Sequence, residues 1–228
     1  MMGLKDAIGR AVLSRKRRSV LIALSLLVLP SAILAGAWRL GGVSALEDDL
    51  LYYLPIRQYI GEQLRAGVLP FWNPLVGMGT SLAADPQSGL WYPPTYLFVV
   101  LPPLVAYPIT IILHFALAGW GMYRFLRSLR RDWQAAFVGA LAFEFCGYLI
   151  AHRAHLTIFE ASAWVPWILY GWQRFADSGG YRHFMMAVFT FGSQMLVQHT
   201  QVSIMTGALV TAYVAYNLLP GRRRLMWQ

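Results

Sequence analysis

A single cysteine, Cys146, stands in the 228 residues, which excludes a disulfide framework within the chain and a cysteine-rich zinc centre. Charge is also scarce. Asp, Glu, Lys and Arg make up 13% of the sequence, about half the share in an ordinary soluble domain, while 57% is hydrophobic. A soluble core of this size has no room for so much apolar surface, and a chain this apolar does not stay disordered. Negative charge is the rarer sign: ten acidic residues against 19 basic ones leave a net charge of +9. The basic residues fall in short clusters between apolar runs, not in a stripe, which argues against nucleic acid as a partner. The composition predicts an all-α polytopic membrane protein.

Long apolar runs are what the sequence has in quantity. About 20 such residues cross a hydrocarbon core. Val20 to Trp38, preceded by Arg15-Lys16-Arg17-Arg18, reads as a retained signal anchor. Leu104 to Tyr123, Gln134 to Ala151, and Leu156 to Trp172 with a kink at Pro166 are the next three spans. Phe184 to Leu219 is too long for one span and is broken at Gln198-His199-Thr200-Gln201, which makes two spans joined at a polar tip. With the amino terminus in the cytoplasm, 15 of the 19 basic residues lie inside, leaving Arg39, Arg57, Arg65 and Arg153 outside. About six transmembrane helices with both termini cytoplasmic satisfy that count. The expected organisation is a basic cytoplasmic tail at 1–19, a transmembrane domain at 20–219 with a long outer loop at 41–101, and a basic cytoplasmic end at 220–228.

The outer loop carries its own pattern. Leu46, Leu50, Tyr53, Leu54, Ile60 and Leu64 recur at helical spacing, with Gly67 and Pro70 as stop signals, so an amphipathic helix lying on the outer leaflet is expected. The rest of the loop is rich in proline, glycine and aromatics and predicts an ordered segment packed at the interface. Polar side chains gather on this face. Seven of the ten acidic residues lie on or near it: Glu47, Asp48, Asp49, Glu62, Asp85, Glu160 and Glu144. His152, His155 and His199 fall at the outer ends of three spans.

Each feature has two readings. Ser44-Ala45-Leu46-Glu47 fits a capping box, after which Asp48 and Asp49 need only favour the positive end of a helix dipole. Alternatively the acidic pair is a general base or metal ligand at the membrane surface. His152 and His155, three apart, suit headgroup hydrogen bonding or, with Arg153, phosphate binding. Glu144 and His114 lie inside spans, where an ionisable group marks a candidate site or a packed hydrogen bond. Gly119 and Gly121 permit close helix contact. The twelve Phe, twelve Tyr and nine Trp read mostly as interface belt.

Several motifs together carry a family resemblance. Gly67-Val68-Leu69-Pro70-Phe71-Trp72-Asn73-Pro74, Gly77-Met78-Gly79, Ala84-Asp85-Pro86-Gln87-Ser88-Gly89 and Tyr92-Pro93-Pro94 resemble the first outer loop of the YfhO-type bacterial membrane proteins, which belong to the GT-C-like membrane glycosyltransferases. Leu113-His114 with Leu117 to Tyr123, Ala142-Phe143 with Gly147, and Ala163-Trp164-Val165-Pro166-Trp167 resemble their next spans, and Gln198-His199-Thr200-Gln201 is similar to their Gly-His-Pro-Gln tip. Cys146 replaces a small serine, Glu144 is unusual beside it, and Gln198 and Thr200 replace the tip's glycine and proline.

The resemblance implies a membrane glycosyltransferase in the bacterial inner membrane that takes sugar from a polyprenyl-phosphate donor on the outer face and passes it to a cell-envelope glycan or lipid. It places catalytic acidic residues at Asp48 and Asp49, with a divalent metal in some members. Substrate-binding groups are expected at Asn73, Asp85, Gln87, His152, Arg153, His155, His199 and Gln201. Family members run several hundred residues longer, so the chain is expected to correspond to their N-terminal portion. Two alternatives stand beside it: a transporter or lipid-handling protein working through Glu144 and His114, and a non-catalytic fragment that binds a partner membrane subunit.

Overall fold

The computed structural model describes residues 48–218 continuously, together with Arg17 and isolated positions between 21 and 33. The capping residues Ser44 and Glu47, both ends of the chain and about half of the expected first span lie outside the described residues. The described positions from 21 to 33 are helical, and Ile22 and Leu26 are buried against Tyr123, Ala136 and Ala140.

The described chain is mostly helical. Its elements in order are α1 (Leu54–Arg65), a two-stranded antiparallel hairpin of β1 (Trp72–Asn73) and β2 (Thr80–Ser81), α2 (Leu97–Val100), α3 (Pro103–Ser128), α4 (Trp133–Glu144), α5 (Gly147–Ala151), α6 (Leu156–Ala163), α7 (Val165–Ser178), α8 (Tyr181–Leu196) and α9 (Thr200–Leu218). Trp72 pairs with Ser81 and Asn73 with Thr80, so the segment expected as an ordered loop contains a small hairpin.

Among the described residues, two helical stretches are long and apolar enough to cross a membrane: α3, and the run from Trp133 to Ala154 that contains α4 and α5. The second is bent. The helix stops at Glu144, Cys146 is extended (φ −65°, ψ 151°), and α5 restarts at Gly147. Cys146 is the N-cap of α5 and makes no side-chain capping bond; serine would ordinarily cap here. The expected fourth span is likewise two helices, α6 and α7, joined at Trp164, with Pro166 in the first turn of α7, where its missing N–H has no intrahelical partner to lose. The expected break at Gln198 to Gln201 separates α8 from α9. Phe189, Met195, Ile204 and Met205 on these two helices turn outward and are exposed.

The centre of the fold is α3, which packs against α4, α6 and α7. Ile111, Phe115 and Ala118 of α3 meet Leu149, Leu156, Phe159 and Ala163 in one apolar cluster. Gly119 makes room for the buried Glu144 side chain; a Cβ there would lie 2.6 Å from a carboxylate oxygen. Gly121 gives the same room to the indole of Trp167.

The outer segment is tied to this bundle by a buried ion pair. Arg57 of α1 and Glu160 of α6 meet at 2.9 Å with both side chains 1% exposed. Arg57 also donates to the carbonyl of Gly89 at 3.1 Å. Gly89 has φ +60°, and a Cβ would lie 2.2 Å from the guanidinium, so only glycine lets the loop close over the arginine. The apolar face of α1, Ile56 and Ile60, packs on Leu82 and Leu90 of the same segment. Of the face expected to lie on the leaflet, the loop covers Ile60 and Leu64 while Leu50 stays exposed; α1 packs on α2 and α3, and Arg57 reaches across to Glu160 of α6.

Removing one member of a buried pair strands the other charge, which typically costs about 3–5 kcal/mol. Glu160→Ala is therefore expected to lower unfolding stability in detergent by about that amount. The double change Arg57→Met with Glu160→Met is expected to recover much of it; a double variant no more stable than Glu160→Ala would contradict the pair's role.

Candidate active site

The acidic pair sits where the helical segment begins. Asp49 to Tyr53 form a wide π turn, closed by the Leu54 N–H on the Asp49 carbonyl, and then run into α1. The wide turn comes just before Pro55, which has no N–H to return to the preceding turn. Asp48 is already helical and makes no side-chain capping bond.

The two carboxylates face different surroundings. Asp48 is exposed, and its Oδ2 lies 3.4 Å from His155 Nε2, itself 45% exposed. Asp49 is 3% exposed; its Oδ1 accepts the hydroxyl of Tyr107 from α3, and among the described residues its Oδ2 has no hydrogen-bond donor. Burial raises the Asp49 carboxyl from 3.8 to about 6, against the opposing pull of the Tyr107 hydrogen bond and the Arg153 charge; Asp48 pushes it further up and His155 draws it down.

The basic side comes from the turn between α5 and α6. His152, Arg153 and Ala154 form a single 3₁₀ turn, and His155 (φ −98°, ψ 75°) starts α6. The expected shared helix face for His152 and His155 is replaced by this turn, which nevertheless sets their rings edge to face at 5.3 Å. Tyr148 flanks His152 at 4.4 Å. The Nδ1 atoms of His152 and His155 and the Nε of Arg153 are buried without a hydrogen-bond partner among the described residues. His199 completes the group. Its Nδ1 accepts the Val202 N–H and caps α9, and burial first, then the positive fields of His152 and His155, hold its pKa below the usual value.

The remaining sequence-predicted residues are placed differently. Asn73 is buried in the hairpin, and its Oδ1 accepts the Leu75 N–H at 3.0 Å. Asp85 accepts the Tyr52 hydroxyl and the Gln87 N–H, each at 2.8 Å. Gln87 Oε1 accepts the Tyr53 hydroxyl at 3.1 Å. Gln201 is exposed on the first turn of α9. Asn73 and Asp85 thus build the loop, whereas Asp48, Asp49, His152, Arg153, His155 and His199 come together. Gln198, in the left-handed region at φ +71°, joins loop to tip: Ser88 Oγ donates to its Oε1 at 3.1 Å, and its Nε2 donates to the Asp85 carbonyl at 3.0 Å.

Tyr107, and the Tyr92 and Trp164 partners of His114, escaped the sequence. Tyr107 lies in an apolar run and carries no polar pattern that would mark it. Tyr92, Trp164 and His114 form a buried relay: the Trp164 indole donates to the Tyr92 hydroxyl at 2.9 Å, which donates to His114 Nε2 at 2.6 Å, and His114 Nδ1 donates to the Thr110 carbonyl at 2.7 Å. This assigns His114 a packing role and holds the loop onto α3. Among the described residues, no group of three or more His, Cys, Asp and Glu side chains is arranged to hold a metal ion, so the donor set does not fit a resident divalent metal. No family model, curated protein or solved structure matches the chain.

The hydrogen bond from Tyr107 favours the ionised Asp49. Tyr107→Phe is expected to move the Asp49 midpoint above about 6, and Arg153→Gln to move it the same way, while Asp48→Asn moves it down. Infrared titration of the carboxyl band, with Asp49→Asn identifying it, checks this. An unchanged or lower midpoint in Tyr107→Phe contradicts the arrangement.

Proposed function

We propose that the chain is a multi-pass membrane protein of the GT-C glycosyltransferase type, acting at the outer face on a polyprenyl-phosphate-linked sugar. The observation that carries this reading is the meeting of Asp48 and Asp49 with His155 and Arg153: carboxylates from the start of the outer segment lie beside a basic turn between two helices of the bundle. A sugar transfer from a lipid phosphate needs both parts. The acceptor hydroxyl oxygen bonds to the sugar anomeric carbon, the carbon–oxygen bond to the phosphate breaks, the electron pair leaves with the lipid phosphate, and the acceptor proton goes to a carboxylate. Asp49 Oδ2, without a donor and with a carboxyl titrating near 6, suits the proton acceptor. Asp48 and His155 stand at the open side, and Arg153 with the histidines suits the departing phosphate.

The tip between α8 and α9 supports the resemblance to the YfhO-type proteins. Gln198 stands at the family's glycine position and adopts the left-handed backbone that glycine favours. Thr200 stands at the family's proline position and is the first residue of α9, where proline is favoured. The six-span topology with cytoplasmic ends and a bacterial inner-membrane location belong to the same proposal. Supporting it, Tyr107 and Arg127 lie 20 residues apart on α3, about 30 Å of helix, the thickness of a hydrocarbon core. In a Cys146→Ser background, Met78→Cys at the hairpin turn is expected to react with an impermeant thiol reagent from outside intact cells and Ser178→Cys is not; the reverse pattern overturns the topology.

A transporter reading has one observation in its favour: Glu144 is fully buried in a membrane-length stretch with neither carboxylate oxygen hydrogen-bonded. The two readings separate by mutation. On the glycosyltransferase reading, Asp49→Asn lowers sugar transfer in membranes by about 10²–10⁴-fold, Asp48→Asn also lowers it, and wild-type activity rises as pH passes about 6. Full transfer in both variants sinks the proposed site. Substrate movement in proteoliposomes that survives both changes and stops with Glu144→Gln favours transport.

A further inference from the structure

We infer that the end of the bundle away from the acidic pair holds a second site, built for a phosphate anion carried on a lipid headgroup or free in solution. A cavity of about 680 Å³ opens where the C-terminal ends of α3, α7 and α9 converge. That volume lies within the range of small-molecule sites. Arg127, Arg130 and Arg174 line it, and among the described lining residues Asp177 is the one acidic side chain. Trp172, Phe175 and Tyr213 supply the apolar wall.

The acidic residue does not cancel the basic ones. Tyr213 donates its hydroxyl to Gln173 Oε1, and Gln173 Nε2 donates to Asp177 Oδ1 at 2.9 Å. This relay holds Asp177 on the α7 side, where Arg174 reaches its other oxygen only at 3.9 Å. Arg174 stays 38% exposed. One N–H of Arg127 donates to the Arg131 carbonyl at 2.5 Å, which fixes its guanidinium at the end of α3. Arg130 follows the α3 cap in the left-handed region at φ +59°. Its N–H bonds the Arg127 carbonyl at 3.2 Å and the Arg131 N–H bonds the Leu126 carbonyl at 3.2 Å, an ordinary helix-ending turn that closes α3 at the edge of the cavity.

Two simpler accounts explain charge but not a cavity. Arginines near helix C-termini complement the dipole, and basic clusters set membrane orientation; both work equally well on an open surface. Forked guanidinium groups beside an aromatic wall are the chemistry that binds phosphate oxygens in pairs while seating the carbon skeleton attached to them. The site rests on the membrane reading only for which phosphate reaches it.

The test uses the full chain purified in detergent, with inorganic phosphate and dihexanoyl phosphatidylglycerol as probes and dihexanoyl phosphatidylcholine as the neutral-headgroup comparison. Affinity is read by fluorescence titration and melting temperature confirms folding of each variant. Arg127→Gln with Arg174→Gln is expected to weaken binding by about tenfold or more, and Arg182→Gln, an exposed cation outside the cavity, to leave it within about twofold. Arg174→Lys, which keeps the charge and loses the fork, is expected to lie between. Preference for phosphatidylglycerol over inorganic phosphate identifies a lipid source, and the opposite preference a soluble one. Equal losses in Arg182→Gln and the double variant, full affinity in Arg174→Lys, or binding of neither probe overturns the site. Failure of the membrane topology leaves the inorganic phosphate result intact, so the two outcomes are distinguishable.

Discussion

The arrangement depends on one buried contact, the ion pair of Arg57 with Glu160. Two charges withdrawn from water are tolerated only with close partners, and Arg57 has two: the Glu160 carboxylate and the Gly89 carbonyl. The three positions come from α1, the outer loop and α6, so a single guanidinium fixes three segments that are far apart in sequence. The surrounding contacts assume this geometry. Ser88 bridges to Gln198, Thr95 donates to the same Gly89 carbonyl, and the Tyr92 hydroxyl reaches His114.

That clamp places the acidic pair. With Arg57 tied to Glu160, the preceding turn brings Asp49 to Tyr107 and Asp48 to His155. The two neighbouring carboxylates then differ in kind. Asp48 is open and faces a histidine, whereas Asp49 is enclosed, with one oxygen taken by a phenol and the other free. A pair of like groups with divided environments is how acid–base chemistry is assigned within one site.

Much of the helical layout was legible in the sequence because apolar run length and proline position are local signals. α3 differs from the expected Leu104 to Tyr123 span mainly by a longer C-terminal end, and the breaks at Pro166 and at Gln198 to Gln201 fall where expected. The gathering of His152, Arg153, His155 and His199 was legible from their placement at span ends. The ion pair was not: Arg57 and Glu160 are 103 residues apart, and each reads alone as a polar residue at an interface. Tyr107 was hidden because an aromatic at the start of a span looks like interface belt. Asn73 and Asp85 drew attention as polar residues in distinctive motifs, but short side chains next to proline and glycine also serve turns by bonding nearby N–H groups, and that is where their oxygens lie.

The bond between Tyr107 and Asp49 has a mechanical consequence. It hangs the acidic pair from the second turn of α3, so on the membrane reading the height of the carboxylates above the lipid is set by how that helix sits in the bilayer. A thicker or thinner hydrocarbon layer changes helix tilt and depth at modest cost. The same displacement would carry Asp49 toward or away from headgroup level while the clamp at Arg57 kept the site's internal geometry unchanged. Lipid composition would then act on the depth of the site without altering its shape.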